Sequence, residues 1–396
     1  MTLCAIALTG LSNYFQSVDP QRALALNPLN VEASTGVMAA ALGETENRTS
    51  FEEVDKKARR AIRYAPIHAQ LRGLYGESLF QQGDGAAEHV FNVTLELAPT
   101  ETTALQRTLQ TAVTDGDSAA ALAKLDILFR RWPGQFASFA PIIPYLLSLP
   151  DGYQVGLSEL RKSPPWRGRF LAYLNRDPGT VDLAYRLQLD LTGNLQETNP
   201  GEIASTVSAL LRFKKYDLAH RLFLLTLNET DRENYGYLFN SNFELALSGR
   251  PFDWSLRDQP GVRVSRETKS TAQGDETALT IRFHGKPVKQ IGVTQYLYLP
   301  AGKYQLTVDL DADNLKTPKG LFVQITCLDP RRVVSKLDIP PGSYRDRILQ
   351  STFVLPDSSC KMLQLGMGTD LIAESFRYRY MGELSIRDIS IRKSPS

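Results

Sequence analysis

The sequence has few histidines and no recognisable catalytic motif. Its four histidines are scattered along 396 residues, and no spacing between them indicates a zinc site or a Ser-His-Asp arrangement. No glycine-rich loop is followed by a helix and a lysine, which excludes the common phosphate-binding motifs. These absences predict that the protein is not an enzyme. A hydrolase, the alternative, would need two carboxylates about 5 to 10 Å apart in a cleft, and nothing in the sequence indicates such a pair.

The chain also lacks an excess of charge of either sign. Lysine and arginine number 45, and aspartate and glutamate number 43. Without a strongly basic surface, no nucleic-acid partner is expected. A chain of this length exceeds what one hydrophobic core supports, so the sequence predicts two or more domains.

Long apolar runs are missing as well. Residues 2–11 are uncharged and mostly apolar, and the first charged residue is Asp19. This segment is shorter than the roughly 20 apolar residues that span a bilayer, and it lacks the basic leader of a signal peptide. Two interpretations of residues 1–17 stay open. They are the end of a truncated signal or anchor segment, which predicts an N-terminal membrane anchor, or they are the first helix of the helical region.

Only three cysteines occur, and two of them lie in the C-terminal half. Cys327 and Cys360 fall in predicted strands or strand edges, whereas Cys4 lies in the apolar N-terminal segment. Two cysteines in one β domain form a disulfide in an oxidising compartment or remain buried thiols in the cytosol. Cys327 and Cys360 are therefore the candidate disulfide.

Four prolines punctuate the first third of the chain at nearly constant spacing. They stand at positions 28, 66, 99 and 133, with intervals of 38, 33 and 34 residues. Each follows a stretch of helix-forming residues, and proline ends a helix because it has no amide hydrogen to donate. The interval is close to the 34 residues or so of a tetratricopeptide repeat.

This punctuation resembles the tetratricopeptide family over residues 18–133, although the signature tryptophan of that family is absent from the first helices. The resemblance implies an α-solenoid of helical hairpins whose concave face holds a protein partner. From residue 134 to 237 the helical pattern continues without the period. We interpret this part as degenerate helical repeats.

Near residue 238 the spacing of apolar residues changes from the period of a helix to the two-residue period of a β-strand. Residues 277–284, 304–310, 321–326 and 384–391 alternate between apolar and polar side chains and are bounded by glycine or proline turns. Several short strands with frequent turns predict an antiparallel, jelly-roll β-sandwich over residues 238–396. The predicted fold class is therefore multidomain, an α-solenoid followed by a β-sandwich.

The order of motifs in this half resembles the galactose-binding-like β-sandwich of bacterial carbohydrate-binding modules. The likeness is carried by residues 239–244, 251–254 and 299–304 and by the closing strand with Asp388. In that family an acidic residue of the opening segment and one of the last strand share a structural calcium ion with backbone carbonyls. The resemblance implies that Glu244 and Asp388 hold such an ion.

A sugar site in this sandwich would combine aromatic rings, which stack on pyranose rings, with polar groups that bind the hydroxyls. Strand alternation places several such side chains on shared strand faces. The candidate glycan-binding residues are Arg282, His284, Tyr296, Tyr298, Phe322 and Gln324.

Together the two resemblances imply a non-enzymatic scaffold protein of a bacterial exopolysaccharide biosynthesis or export system. In this hypothesis the solenoid binds a protein and the sandwich binds glycan. The expected location is the periplasm, either free or anchored in the inner membrane. The alternative is a protein–protein adaptor in which the sandwich is purely structural and binds no sugar.

Overall fold

The computed structural model of the protein describes residues 2–43, 48–192, 199–233, 235–271, 274–356, 360, 362–372, 375 and 377–394. By its internal contacts the chain divides into two compact units, residues 1–170 and 171–396. Within the described residues, sixteen α-helices come first and ten β-strands follow. The predicted order of a helical part and an antiparallel β part is confirmed.

The first unit consists of helices joined by short turns. After α8 a single 3-10 turn, Pro133–Gln135, leads into α9, and the last helix of the series continues across residue 170 into the second unit. The helices are α1 (Thr2–Phe15), α2 (Pro20–Leu26), α3 (Val31–Gly43), α4 (Arg48–Tyr64), α5 (Ala69–Gln82), α6 (Ala86–Leu97), α7 (Thr102–Thr114), α8 (Ser118–Arg131), α9 (Phe136–Phe139), α10 (Ile142–Ser148), α11 (Gly152–Arg161) and α12 (Arg167–Leu174).

The periodic prolines end every second helix of this series. Pro28, Pro66, Pro99 and Pro133 each lie two residues after the last residue of α2, α4, α6 and α8. Because proline disfavours helical geometry in the residue before it, the chain leaves the helix and starts the next hairpin. The repeat in the sequence is therefore a repeat of helix pairs.

The pair formed by α5 and α6 illustrates the packing within a hairpin. At Gly76 a Cβ atom would lie only 2.6 Å from the ring of Phe91, so the absence of a side chain admits the ring. Gly83 ends α5 in the left-handed conformation, with φ of 74°, which glycine adopts without strain. Leu71 and Leu74 of α5 are buried in a cluster with Met38 of α3.

The second unit holds the remaining helices and all the strands. Its helices are α13 (Val181–Thr192), α14 (Pro200–Arg212), α15 (Tyr216–Leu225) and α16 (Glu229–Glu233). Its strands are β1 (Ser255–Leu256), β2 (Val262–Thr271), β3 (Gly274–Lys286), β4 (Gln290–Leu297), β5 (Gly302–Lys316), β6 (Phe322–Leu328), β7 (Arg331–Asp338), β8 (Gly342–Leu355), β9 (Leu363–Gly368) and β10 (Tyr380–Lys393).

The strands form two five-stranded antiparallel sheets. Sheet I has the order β1-β4-β9-β6-β7, and sheet II has the order β2-β3-β10-β5-β8. Alternate residues of β3, β4, β5, β6, β9 and β10 enter a shared apolar core, which also buries Trp254. The Trp254 indole donates a hydrogen bond to the Asn240 carbonyl at 2.9 Å, so the opening segment is fixed to the core.

The helices α13 to α15 share a second apolar cluster with the sandwich. Phe223 of α15 lies 5.7 Å from Phe239 and 5.2 Å from Phe252, measured between ring centroids. Val207 of α14 and Met362, which precedes β9, belong to the same cluster. Secondary structure changes from helix to strand between α16 and β1, near the predicted residue 238. The two compact units, in contrast, meet at residue 170 and not at residue 238. The reason is that the second apolar cluster joins α13, α14 and α15 to the sheets.

A disulfide links Cys327 of β6 to Cys360, with Cα atoms 5.7 Å apart. Both cysteines are buried. The bond joins β6 to the segment that leads into β9, so it links two neighbouring strands of sheet I covalently.

The N-terminal apolar segment forms α1. The side chains of Ile6, Leu11 and Tyr14 are exposed. Among the described residues, no helix combines the length and apolar character needed to cross a bilayer.

Candidate functional site

The outer face of sheet I carries an aromatic ring beside polar side chains. In β4, Ile291, Val293 and Leu297 point into the core, so Thr294 and Tyr296 point outward. Tyr296 is 36% exposed. The register pairs Tyr296 with Gln364 of β9, so that a ring and a planar amide lie side by side, about 5 Å apart as neighbouring strands are.

A shallow trough runs along β9 beside this pair. Gly366 lies between Thr294 of β4 and Gln324 of β6 in one cross-strand row. Since Gly366 has no side chain, the row is open at its centre. In the next row the Phe322 ring fills the space above Gly368, where a Cβ atom would lie 2.8 Å from it. The trough is therefore open near Tyr296 and closed towards Phe322.

Helices of the same unit form a wall opposite this face. A cleft of about 860 Å³ lies between α14 and the β1, β4 and β9 strands. This volume is within the roughly 300–1,000 Å³ range of small-molecule sites. The helical wall has small side chains, with Tyr216 of α15 beside them. The small residues are Gly201, Ala204, Ser205 and Ser208.

Hydrogen bonds fix the floor of the cleft. The Gln295 amide donates to the carbonyls of Phe239 and Phe252, each at 2.8 Å. The Asp253 carboxylate accepts from the Ser248 amide and hydroxyl and from its neighbouring Trp254 amide. These bonds hold the loop of residues 248–254 in place against β4. The cleft is therefore preformed rather than assembled from mobile loops.

Of the six predicted glycan residues, the structure places Tyr296, Phe322 and Gln324 on the outer face of sheet I. Tyr296 and Gln324 are partly exposed and border the trough, whereas Phe322 is buried. The Phe322 ring also lies under the Lys336 ammonium, 4.2 Å from its centroid. Phe322 therefore packs within the sheet face, and Tyr296 and Gln324 face solvent.

Arg282 and His284 lie on the outer face of the other sheet. Both belong to β3 of sheet II, so they do not share a surface with Tyr296. The Arg282 guanidinium binds the Glu267 carboxylate and donates to Glu383 at 2.8 Å. These carboxylates raise the pKa of Arg282 further above its ordinary value. Arg282 is therefore engaged in a cross-strand ion network.

The sixth residue, Tyr298, packs against α15. Its ring stacks on that of His220, with centroids 4.9 Å apart, and His220 also contacts the hydroxyl of Tyr235. Burial lowers the pKa of His220 to about 4, so the imidazole is neutral at pH 7. Tyr298 thus belongs to the interface between the helices and the sandwich.

Sequence reasoning missed the helical wall and the residues that line the cleft around Tyr296. Arg212 of α14, Arg257 after β1 and Gln364 of β9 all line it, yet they lie far apart in the sequence. One signal was available in Gly366 and Gly368, because a glycine within a strand often marks a close approach of another group. No pattern within a single segment indicated the wall.

The predicted calcium ligands lie where the closing strand meets the opening segment. The amide of Ile389 donates to the Ser241 carbonyl at 3.0 Å, which brings Asp388 near residues 239–244. However, the Arg266 guanidinium donates to the carbonyls of Phe243 and Glu244 at 2.5 and 2.6 Å. Within the described residues no three His, Cys, Asp or Glu side chains gather at a metal site. These residues do not fit the calcium ion that the resemblance implies, because an arginine occupies the carbonyls.

We therefore expect the thermal unfolding midpoint to be the same in calcium and in EDTA, within about 1 °C. Arg266→Gln should lower that midpoint by several degrees. Its two charge-assisted hydrogen bonds contribute on the order of 2 kcal/mol, and about 1 kcal/mol shifts a domain of this size by about 2–4 °C. Arg263→Gln, on the same strand, is the control. A midpoint that rises by 5 °C or more with calcium would show a site that the described residues do not reveal.

The first unit offers a separate apolar groove. It has a volume of about 200 Å³ and lies between α2, α3 and α4. Apolar residues, including Leu29 and Tyr64, line it, and Lys57 and Arg60 stand at its rim. Such a groove accommodates an apolar side chain of a peptide.

Comparisons with known proteins concern the C-terminal β region. No protein-family model and no curated protein matches the chain. The structure of a carbohydrate-binding module, CBM4, is 15% identical in sequence to this chain. The match spans 40% of this chain and 99% of the CBM4 chain, with a TM-score of 0.29. A putative sugar binding protein from Bacteroides thetaiotaomicron is 12% identical, with coverages of 40% and 100% and a TM-score of 0.29. The CBM22-1 xylan-binding domain from Paenibacillus barcinonensis is 12% identical, with coverages of 39% and 93% and a TM-score of 0.27.

Proposed function

We propose that the second unit binds a glycan in the cleft between α14 and the outer face of sheet I. The observation that carries the proposal is an exposed aromatic ring beside a planar amide in a preformed cleft, with an open glycine trough next to them on the same sheet face. Tyr296 would stack on a pyranose ring, and Gln364 and Gln324 would exchange hydrogen bonds with hydroxyl groups. Gly366 leaves room for the ring of the sugar to approach the sheet.

The composition of the helical wall supports the same assignment. Ser205 and Ser208 bring hydroxyl groups to the cleft, and the small residues Gly201 and Ala204 keep it wide. A sugar between the sheet face and the helical wall would lose water from both of its faces. Hydrogen bonds from the serine hydroxyls of the wall would then replace the hydrogen bonds that the sugar makes with water. An open sheet face alone would desolvate only one side of a sugar.

Tyr296→Ala should weaken glycan binding about tenfold or more, because a stacked aromatic anchor commonly contributes on the order of 1.4 kcal/mol. Binding of the full-length protein to a glycan array, followed by calorimetry with the best oligosaccharide, measures the effect. The unfolding midpoint should stay within 2 °C or so of wild type, since the ring is partly exposed. His284→Ala on sheet II is the control and should bind normally. A loss of binding in His284→Ala with normal binding in Tyr296→Ala would move the site to the other sheet.

For the first unit we propose a role in holding a protein partner, as part of a scaffold in a bacterial polysaccharide biosynthesis or export system. The groove between α2, α3 and α4 supports this role, because its apolar lining and basic rim suit a peptide with apolar and acidic side chains. The exposed apolar residues of α1 suit an anchor at a membrane. The disulfide in sheet I suits an oxidising compartment such as the periplasm.

We infer a non-enzymatic role from the chemistry of the cleft. Its one lining carboxylate, Asp253, is bound by a hydroxyl and two backbone amides. Glycoside hydrolysis needs two carboxylates, and the described lining supplies one. The alternative function, a protein adaptor with a structural sandwich, is favoured only if no glycan binds to the cleft.

A further inference from the structure

We propose, resting on the proposed function, that the cleft selects an acidic glycan whose carboxylate groups bind Arg257 and Arg212. The charge of the lining points to this ligand. Three arginines and one aspartate line the cleft, and a glycan without charge would gain nothing from such an excess of positive charge. Low-dielectric walls increase the field of these arginines within the cleft.

The aspartate does not neutralise these arginines directly. Asp253 is 3% exposed, and its carboxylate accepts hydrogen bonds from Ser248 and Trp254. No ion pair joins Asp253 to a cleft arginine in the described part of the chain. The third arginine, Arg250, is already paired, since it donates to the Asp231 carboxylate at 3.1 Å and to Thr226. The positive charge available to a ligand therefore belongs to Arg212 and Arg257.

These two arginines come from different walls. Arg212 ends α14, where its guanidinium donates to the Asn175 carbonyl and lies 4.8 Å from the centroid of the Phe213 ring. Arg257 follows β1 at the edge of sheet I, and its backbone amide donates to Gly292. Within the residues that the structure describes, neither guanidinium has a carboxylate within 4 Å. The groups that hold Arg212 are thus neutral, and its positive charge is available to a ligand.

An arginine suits a carboxylate because its planar guanidinium donates two parallel hydrogen bonds to the two oxygens. Tyr296 of β4 and the β1 end that precedes Arg257 lie on neighbouring strands of the sheet. The register places Arg257 beside Gly292, four residues or about 13 Å along β4 from Tyr296. An acidic oligosaccharide with one ring stacked on Tyr296 would therefore bring the carboxylate of a neighbouring sugar to Arg257. Uronic acid residues have a ring with a carboxylate attached, which matches this combination.

The test measures binding of the full-length protein to four acidic polysaccharides, polygalacturonate, alginate, hyaluronan and xanthan, each paired with its carboxyl-reduced form. At least one acidic member should bind at least tenfold more tightly than its reduced form, and 0.5 M NaCl should weaken that binding. The double variant Arg212→Gln/Arg257→Gln should remove the difference within the pair. Arg263→Gln, which makes the same charge change on an exposed position of sheet II, should bind like wild type.

The outcomes separate this inference from the proposed function. If the acidic and reduced forms bind equally, or if the double variant keeps its preference, the inference is overturned while glycan binding in the cleft stands. Tyr296→Ala should weaken both forms, since the ring contacts the sugar and not its charge. If no member of any pair binds, the inference and the proposed function both fail.

Discussion

A fragment of residues 171–396 is expected to fold cooperatively, whereas a fragment of residues 238–396 is expected to be strongly destabilised. The shorter fragment lacks α13 to α15, which cover Phe239, Phe252 and Met362 in the second apolar cluster. Burying one large apolar side chain contributes about 1.5–3 kcal/mol. Exposing three of them costs on the order of 5–9 kcal/mol, which is comparable to the whole stability of a domain.

Thermal unfolding and binding of a hydrophobic dye would compare the two fragments. The longer one should show a single sharp transition, and the shorter one should bind the dye and lack that transition. Within the longer fragment, Phe223→Ala should cost about 3–5 kcal/mol, because the ring packs on two other phenylalanines. A shorter fragment that unfolds at the same temperature as the longer one would contradict the shared core.

Removal of the disulfide has the second largest expected effect. The double variant Cys327→Ala/Cys360→Ala should lose about 3–4 kcal/mol of unfolding free energy, as the loop-entropy relation gives for a closed loop of this length. The bonded cysteines are separated by 33 residues in the sequence. The bond joins neighbouring strands of sheet I, so under the proposed function its loss should also weaken glycan binding.

Urea unfolding of the wild-type protein, with and without a reducing agent, measures the same contribution without a mutation. The midpoint should fall on reduction in the wild type and stay constant in the double variant. Cys4→Ser, which changes the third cysteine, is the control and should respond like wild type. Equal midpoints for oxidised and reduced wild-type protein would show that the bond does not stabilise the fold.

The architecture was readable from the sequence because its signals are local and repeated. The prolines that follow α2, α4, α6 and α8 mark helix ends by the chemistry of a single residue. Alternation of apolar and polar residues gave strands that agree with β3, β5, β6 and β10. Each of these signals needs only a few neighbouring residues.

The candidate site was only partly readable, because alternation defines the two faces of a strand and not the sheet to which it belongs. Consecutive strands β3 and β4 lie in different sheets, so His284 and Tyr296 face opposite sides of the sandwich. The packing of α14 and α15 was hidden for a similar reason. An apolar stripe on a helix shows that one face is buried, and it does not show which element covers that face.

The assignment of the tetratricopeptide family stays a prediction. The helix pairs and their prolines fit it, but no family model matches the chain. The protein partner, the anchor and the compartment remain proposals that rest on the groove of the first unit, on α1 and on the disulfide.

The most direct test of the central claim is chemical-shift mapping of the 171–396 fragment with an oligosaccharide of the acidic polysaccharide that the protein binds most tightly, and with the carboxyl-reduced form of that oligosaccharide. We expect the largest shifts at Thr294, Tyr296 and Gln364 of sheet I and at Ser205 and Ser208 of α14. Largest shifts at Arg282 and His284 of sheet II, or no shifts with either oligosaccharide, would contradict a glycan site in the cleft.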